Sequence, residues 1–280
     1  MQQEFRHDEI GYWTEIKHQI IKEYAKAYSI IMSAQKVHFH YLYIDAFAGS
    51  GTHKSKGTGE FVLGSPLHAL NVDPPFHEYH FIELRPQKVE SLEKLVGPRS
   101  DVKIYLGDCN KILLESVLPL ARREDYSRAL CVLDPYGMHI DWEVVQKIGL
   151  MKSVEIFLNF PIMDINMNVL KHRPEKVLPT QIERMNRFWG DGSWRDELYS
   201  LSPQMSIFGE EEVKVRNEQV AEVFRRRLIE VAGFLNVPQP LPMRNSINSI
   251  VYYLFFASHN DTGNKIVSYI FNNFKDRTGF

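Results

Sequence analysis

Between Asp8 and about Gln35, apolar residues at Ile10, Trp13, Ile16, Ile20, Tyr24, Ala27, Tyr28 and Ile31 recur every three or four positions, with charges between them. That spacing predicts a helix with one buried face, and Asp8 can cap its start. The chain then alternates. Short apolar runs, "YLYIDAF", "EYHFIEL", "VKIYLGD", "RALCVLDPYG" and "SVEIFLNFP", are separated by the amphipathic stretches "SPLHALNV", "RPQKVESLEKLVG", "CNKILLESVLPLARRE" and "WEVVQKIGL". This is the pattern of βαβ units around a mostly parallel sheet covered on both faces, a Rossmann-like α/β fold. Ser65 can cap the first of these helices, with Pro66 at its first turn. From about Met163 the alternation stops, and the chain to Asn245 is polar, helical in flavour and interrupted by Pro174, Pro179, Pro203, Pro238, Pro240 and Pro242. The sheet pattern returns in "SINSIVYYLFFASH", followed by an amphipathic "NKIVSYIFNNF". The expected layout is one α/β domain: an N-terminal helix over 1–35, a sheet core over 36–162 and 246–280, and a helical insertion over 163–245 that covers a substrate or a partner.

Composition narrows what such a domain can do. With 280 residues, 44 % hydrophobic and 24 % charged, the chain can bury a sizeable core as one elaborated domain. A formal net charge of -2 gives no overall basic field, so nucleic acid is neither demanded nor excluded as a partner. Cys109 and Cys131 form no CxxC pair and no histidine cluster has metal spacing, so no metal site is expected and a reducing compartment suits the chain. The first residues lack a signal-peptide pattern, and the apolar run "IVYYLFFA" is too short to cross a bilayer. The expectation is a cytoplasmic protein without membrane contact.

The chemistry concentrates at predicted strand ends. "YIDAFAGSG" follows the first strand with Asp45, the small residues Ala48 and Ser50, and the glycines Gly49 and Gly51. In open α/β sheets the loop after the first strand floors the ligand crevice, and glycine lets a ligand approach the backbone. A tight turn without ligand explains a glycine pair equally well. The next three strands, however, end in carboxylates: Glu83, Asp108 and Asp134. Asp108 can also be a helix cap. The segment "THKSKGTGEFVLG" lengthens the gap between the glycines and Glu83 and is expected to be a loop over the crevice.

This series resembles the class I S-adenosylmethionine-dependent methyltransferases over about residues 40 to 160. The resemblance implies that the turn holding Asp45, Phe47, Ala48, Gly49, Ser50 and Gly51 passes under the methionine moiety. It further implies that Glu83, with Leu84, takes the ribose diol, and that Asp108, with Cys109, takes the adenine. A carboxylate suits a diol because it accepts two charge-assisted hydrogen bonds at once. The GxGxxG spacing of nicotinamide dehydrogenases is absent.

"LDPYG" is similar to the Asp-Pro-Pro-Tyr motif of methyltransferases that act on exocyclic amines of bases. There the acid and the next carbonyl accept from the amine while the aromatic ring stacks on the base, which implies a catalytic set of Asp134, Pro135 and Tyr136. Acceptors aimed at the amine protons favour attack by orientation; the duller reading is a strand-end turn. Asn159, Asp164 and Asn166 follow the fifth strand and can read a substrate, or simply cap and turn. In the insertion, "RMNRFWGDGSWRDE" and "FRRRL" interleave arginines with aromatics, either for nucleic acid or as insertion core (Phe188, Trp189) plus a solvated face (Arg225 to Arg227).

More closely, "YIDAFAGSG", "FIEL", "GDCN", "LDPYG" and "YYLFFAS" resemble the prokaryotic three-Cys-motif partner proteins (TcmP). That likeness implies a radical-SAM-like three-Cys-motif protein as partner and leaves the substrate open. The sequence therefore supports two expectations: a methyltransferase acting on a nucleobase, nucleotide or nucleic acid, or a cofactor-binding subunit that serves a three-Cys-motif protein.

Overall fold

A computed structural model describes residues 9–56, 59–171, 174–201 and 212–275. Its centre is a seven-stranded sheet of β1 (His40–Asp45), β2 (Glu78–Glu83), β3 (Val102–Leu106), β4 (Ser127–Leu133), β5 (Val154–Phe160), β6 (Leu241–Arg244) and β7 (Ile250–Ala257), in the spatial order β6-β7-β5-β4-β1-β2-β3. Strands β1 to β5 are mutually parallel, while β7 runs antiparallel to both β5 and β6. The chain travels outward from β1 through β3, then returns to β4 on the other side of β1. The order of strands thus reverses between β1 and β4, the place where open α/β sheets bind ligands.

Every residue of β5 is buried, because helices cover both faces. Leu42, Ile44, Cys131, Leu133, Ile156 and Leu158 share one core layer with α5 (Trp142–Met151), α7 (Pro179–Trp189) and α9 (Asn217–Glu230). Tyr43, Phe81, Val132 and Phe157 face the other way, toward α1 (Tyr12–Ser33) and α10 (Asp261–Phe274). Between these come α2 (Ser65–Leu70), α3 (Pro86–Val96), α4 (Cys109–Ile112), α6 (Ile162–Asn168) and α8 (Trp194–Leu198). The α4 stretch continues as a π-helical turn, Leu113–Val117, then a 3-10 turn, Leu118–Leu120. No helix among the described residues is long and apolar enough to cross a membrane.

Asp8, expected to cap α1, lies outside the described residues, and three other local expectations change. Ser65 does not cap α2: Gly64 holds the cap position, and the Ser65 hydroxyl donates to the buried Asp45 carboxylate instead. The segment after Gly51 is no loop but an antiparallel pair, Thr52–Ser55 with Phe61–Leu63, joined by a parallel strand at Glu9–Ile10. The strand β6 lies inside the stretch 163–245 expected to be helical cover. Proline suits an edge strand, where a missing N–H breaks no ladder, and Pro242 sits on the outermost strand of the sheet.

The helices of the insertion join the main core rather than a core of their own. Phe188 stacks on Phe224 at 5.7 Å, and Phe224 lies 4.5 Å from Phe160 of β5. Trp189 and Trp194 are also buried, so these aromatics are not available to stack on bases. Arg227 is not on a solvated face. It is buried, lies over the rings of Trp142 and Trp189, donates to the Trp189 carbonyl at 2.6 Å and pairs with Asp191 at 2.7 Å.

Deep between α1, β5 and α10, Glu155 accepts hydrogen bonds from Tyr24 and Asn260. Burial raises its pKa from 4.5 to about 7, with those bonds opposing the shift. A carboxyl whose pKa is raised by folding favours the folded state below its unfolded value, and that contribution is lost as pH rises through the folded value. Glu155→Gln, an uncharged near-isostere, is expected to leave the melting temperature unchanged near pH 4.5 and to raise it by several degrees at pH 8.5. Calorimetric scans across that range check this; a variant destabilised equally at both pH values contradicts it.

Candidate cofactor crevice and the Asp134 cluster

The turn after β1 is pinned at the reversal point from three sides. Ala46 N–H donates to the Val132 carbonyl at 3.0 Å, and Ala48 N–H to the Ile82 carbonyl at 2.9 Å. Asp45 is fully buried, accepting from Phe47 N–H at 3.1 Å and from Ser65. Burial raises its pKa to about 6 against the pull of those two donors. Enclosed in this way, Asp45 braces the turn from beneath. Gly49 and Gly51 take φ of +67° and +85°, conformations that cost an L side chain strain. A Cβ at Gly51 would also stand 3.0 Å from Leu92. Ala48 and Ser50 are buried, the latter bonding Thr52 O at 2.9 Å, and Phe47 is partly buried.

Glu83 meets this turn directly. One carboxylate oxygen accepts Gly49 N–H at 3.1 Å and the other accepts Arg85 N–H at 2.9 Å. Each oxygen has a second lone pair, so the group is oriented by backbone yet retains capacity for a diol. Leu84, which follows β2, and Leu106, which closes β3, are 65 % and 54 % exposed and offer apolar walls for a flat heterocycle. Asp108 is exposed, and one of its oxygens caps α4 by accepting Lys111 N–H at 3.1 Å. The neighbouring Cys109 thiol is buried, and that burial pushes its pKa up to about 12. The residues present thus fit the nucleoside part of a cofactor: a glycine turn, an oriented acceptor and apolar walls.

Beside the crevice, Asp134 is held by two donors. Lys17 of α1 forms an ion pair with one oxygen, and Asn159 donates to the other at 2.9 Å. Lys17 is 4 % exposed and its ammonium also lies 5.3 Å from the Tyr252 ring centre. The Asn159 side-chain oxygen is buried and has no hydrogen-bond partner among the described residues. Pro135 is buried and Tyr136 is 93 % exposed, which leaves its ring open to an incoming group. Asp164 approaches the same loop: its Oδ2 would stand 2.8 Å from a Cβ at Gly137, and it accepts from Asn168 at 2.7 Å and from Arg184 at 3.4 Å. Asn166 is turned to the insertion, bonded to Asn217 at 3.0 Å and Lys214 at 2.8 Å.

Sequence reasoning missed two members. Lys17 sits four residues after Trp13 and three before Ile20, on the apolar stripe, and a charge on a buried stripe was the available signal. Asn110 ties the β3 end to the loop after β4, donating to the His139 carbonyl at 3.1 Å and accepting from Asp141 N–H at 2.8 Å; its place at the end of "GDCN" was the available signal. Among the described residues no cluster of histidine, cysteine or carboxylate side chains could hold a metal ion.

No family model matches the chain, and no curated protein matches it in sequence. Among solved structures it is similar to protein LPL1258 of Legionella pneumophila str. Philadelphia 1, of family DUF519, at 11 % identity and a TM-score of 0.52, covering 96 % of this chain and 94 % of that one. A putative S-adenosylmethionine-dependent methyltransferase from Listeria monocytogenes overlays at 9 % identity and a TM-score of 0.42, covering 84 % of this chain and 99 % of that one. A putative methyltransferase from Thermobifida fusca YX gives 12 % identity and a TM-score of 0.40, covering 86 % and 81 %. At such identities the Legionella likeness is one of fold alone, and the other two overlay less well. The sheet order and its flanking helices define a Rossmann-like α/β fold, mostly parallel and covered on both faces.

Proposed function

We propose that this chain is a cytoplasmic methyltransferase that uses S-adenosylmethionine and acts on an exocyclic amine of a nucleobase, free or in nucleic acid. The observation that carries the reading is the Glu83 carboxylate, oriented by Gly49 N–H at 3.1 Å beneath a glycine turn at the sheet's reversal point. When bound, the cofactor supplies an electrophilic methyl group. Glu83 would accept from its ribose hydroxyls, Leu84 and Leu106 would flank its adenine, and Asp108 has one carboxylate oxygen outside its cap for the adenine amine. Asp134, fixed by Lys17 and Asn159, would accept a hydrogen bond from the substrate amine and turn its lone pair toward the methyl carbon. Tyr136 would stack on the base.

A second reading is favoured by one feature. Asp134 already has a donor on each oxygen, which also suits a cofactor-binding subunit of a three-Cys-motif protein, the partner the sequence resemblance implies. Methyl incorporation separates the two. The purified protein, given methyl-labelled cofactor and a mixture of total RNA and DNA, is expected to label nucleic acid, and Asp134→Asn is expected to bind cofactor yet label nothing. Equal labelling by Asp134→Asn contradicts the assigned mechanism. Labelling that appears only when a three-Cys-motif protein is added supports the second reading.

A further inference from the structure

The central sheet has two edge strands, and only one of them is protected. On β6, Pro242 removes a backbone donor and the register shifts between Met243 and Arg244, two devices that keep an edge from pairing with another strand. At the far side, β3 (Val102–Leu106) has neither: its sequence VKIYL contains no proline, and its only strand neighbour is β2, which it follows in regular register. Its one charged residue, Lys103, reaches back to Glu78 of β2 at 3.0 Å, away from the open side. Val102, Ile104 and Tyr105 are only partly buried, and Leu106 is 54 % exposed.

The ladder fixes which backbone groups face outward. Asp101 O accepts Tyr79 N–H at 2.8 Å, and Gly107 N–H donates to Glu83 O at 3.0 Å. By the two-residue alternation of a strand, Lys103 and Tyr105 also bond inward to β2. The N–H and C=O groups of Val102, Ile104 and Leu106 therefore point away from the sheet, and among the described residues none of them has a hydrogen-bond partner. Such a row is a template for one more strand.

We propose that this edge joins a second copy of the chain, β3 against β3 and antiparallel, about a two-fold axis at Ile104. In that register Ile104 faces its own counterpart, and Val102 of one copy faces Leu106 of the other. Every outward N–H then meets a carbonyl, and apolar side chains meet on the face where Val102 and Ile104 pack with Leu92 of α3. On the opposite face Lys103 meets Tyr105, whose ring suits both the stem and the ammonium of a lysine. Moving the axis by one residue sets Lys103 against Lys103, or Val102 against Asp108, pairings that oppose like charges or desolvate a carboxylate. The strand is thus complementary to itself in one register, which is what an isologous dimer requires. Antiparallel pairing points the carboxyl ends of the two sheets in opposite directions, so neither crevice is closed and the inference does not depend on the methyl-transfer reading.

Sedimentation equilibrium of the full chain at micromolar concentrations is expected to give twice the chain mass. Leu106→Lys changes an exposed side chain whose backbone groups lie outside the chain's own ladder, so it should fold as the wild type does. It should weaken the dimer at least about tenfold, because symmetry sets the new charge against Val102 twice. Ile104→Cys reads the register: opposed Cα atoms of a bonded antiparallel pair are about 5.5 Å apart, within the range that a disulfide spans. Diamide, which takes up the two thiol hydrogens, should therefore link two copies of Ile104→Cys, whereas Lys103→Cys, which faces Tyr105 and not its own counterpart, should stay unlinked. Cys109 and Cys131 are buried and do not compete. A monomeric wild-type protein overturns the inference, and so does a dimer that Leu106→Lys leaves unchanged or one in which Lys103→Cys links and Ile104→Cys does not.

Discussion

Asp134→Ala will cost about 3–5 kcal/mol of folding stability, the range for stripping one partner from a buried ion pair, in addition to all methyl transfer. The cost comes from Lys17. Its side chain is 5 % exposed, against 25 % for Asp134, so an orphaned ammonium cannot reach water, whereas an orphaned carboxylate partly can. Lys17→Met alone should therefore cost less than Asp134→Ala. The pair Lys17→Met with Asp134→Ala should recover most of the loss, because neither residue then leaves a buried charge behind. Urea unfolding midpoints of the three variants measure this at constant m-value. Additive losses in the double variant would mean that the two groups do not depend on each other. This ordering also dictates how activity must be read: Asp134→Asn keeps the side chain's shape but still removes the counter-charge of the buried Lys17, so its loss of turnover speaks of chemistry when its urea midpoint shows it folded under the assay conditions.

The second large effect concerns Glu83. Its carboxylate orients the turn through Gly49 and would bind the ribose, so Glu83→Ala removes a ligand contact and loosens the backbone that shapes the crevice. Loss of a charge-assisted hydrogen bond is worth about 1.5–3 kcal/mol, or roughly 10- to 150-fold in Kd. Glu83→Gln separates the two roles, since its amide oxygen can still accept Gly49 N–H but presents only one acceptor to a diol. It should weaken binding less than Glu83→Ala, with a small loss of thermal stability because the amide nitrogen cannot accept Arg85 N–H. Equal affinities for wild type and Glu83→Ala would place the cofactor elsewhere.

The geometry of the candidate crevice is legible because its parts are local: a glycine turn after one strand and an acid at the end of the next can be read from position alone. The Asp134 cluster was legible only in part. Asp134 and Asn159 are strand-end residues, but Lys17 reaches them across 117 positions of sequence, and only its place on the apolar stripe of α1 hinted at burial. The pair flanking "KGTGE" is hidden in the sequence because its polar, glycine-containing residues carry no strand alternation; its order comes from pairing with itself and with Glu9–Ile10. Strand β6 was hidden by Pro240 and Pro242, which argue against a central strand but not against an edge. Arg227 reads as one of three arginines in a row, and only packing shows that two tryptophans from other helices cover it.

The most direct measurement is calorimetric titration of the purified protein with S-adenosylmethionine and S-adenosylhomocysteine. Binding at a stoichiometry of about one per chain, weakened at least tenfold by Glu83→Ala, is the predicted result. A folded wild-type protein that binds neither molecule would contradict the assignment of the Gly49–Glu83 crevice as a complete cofactor site.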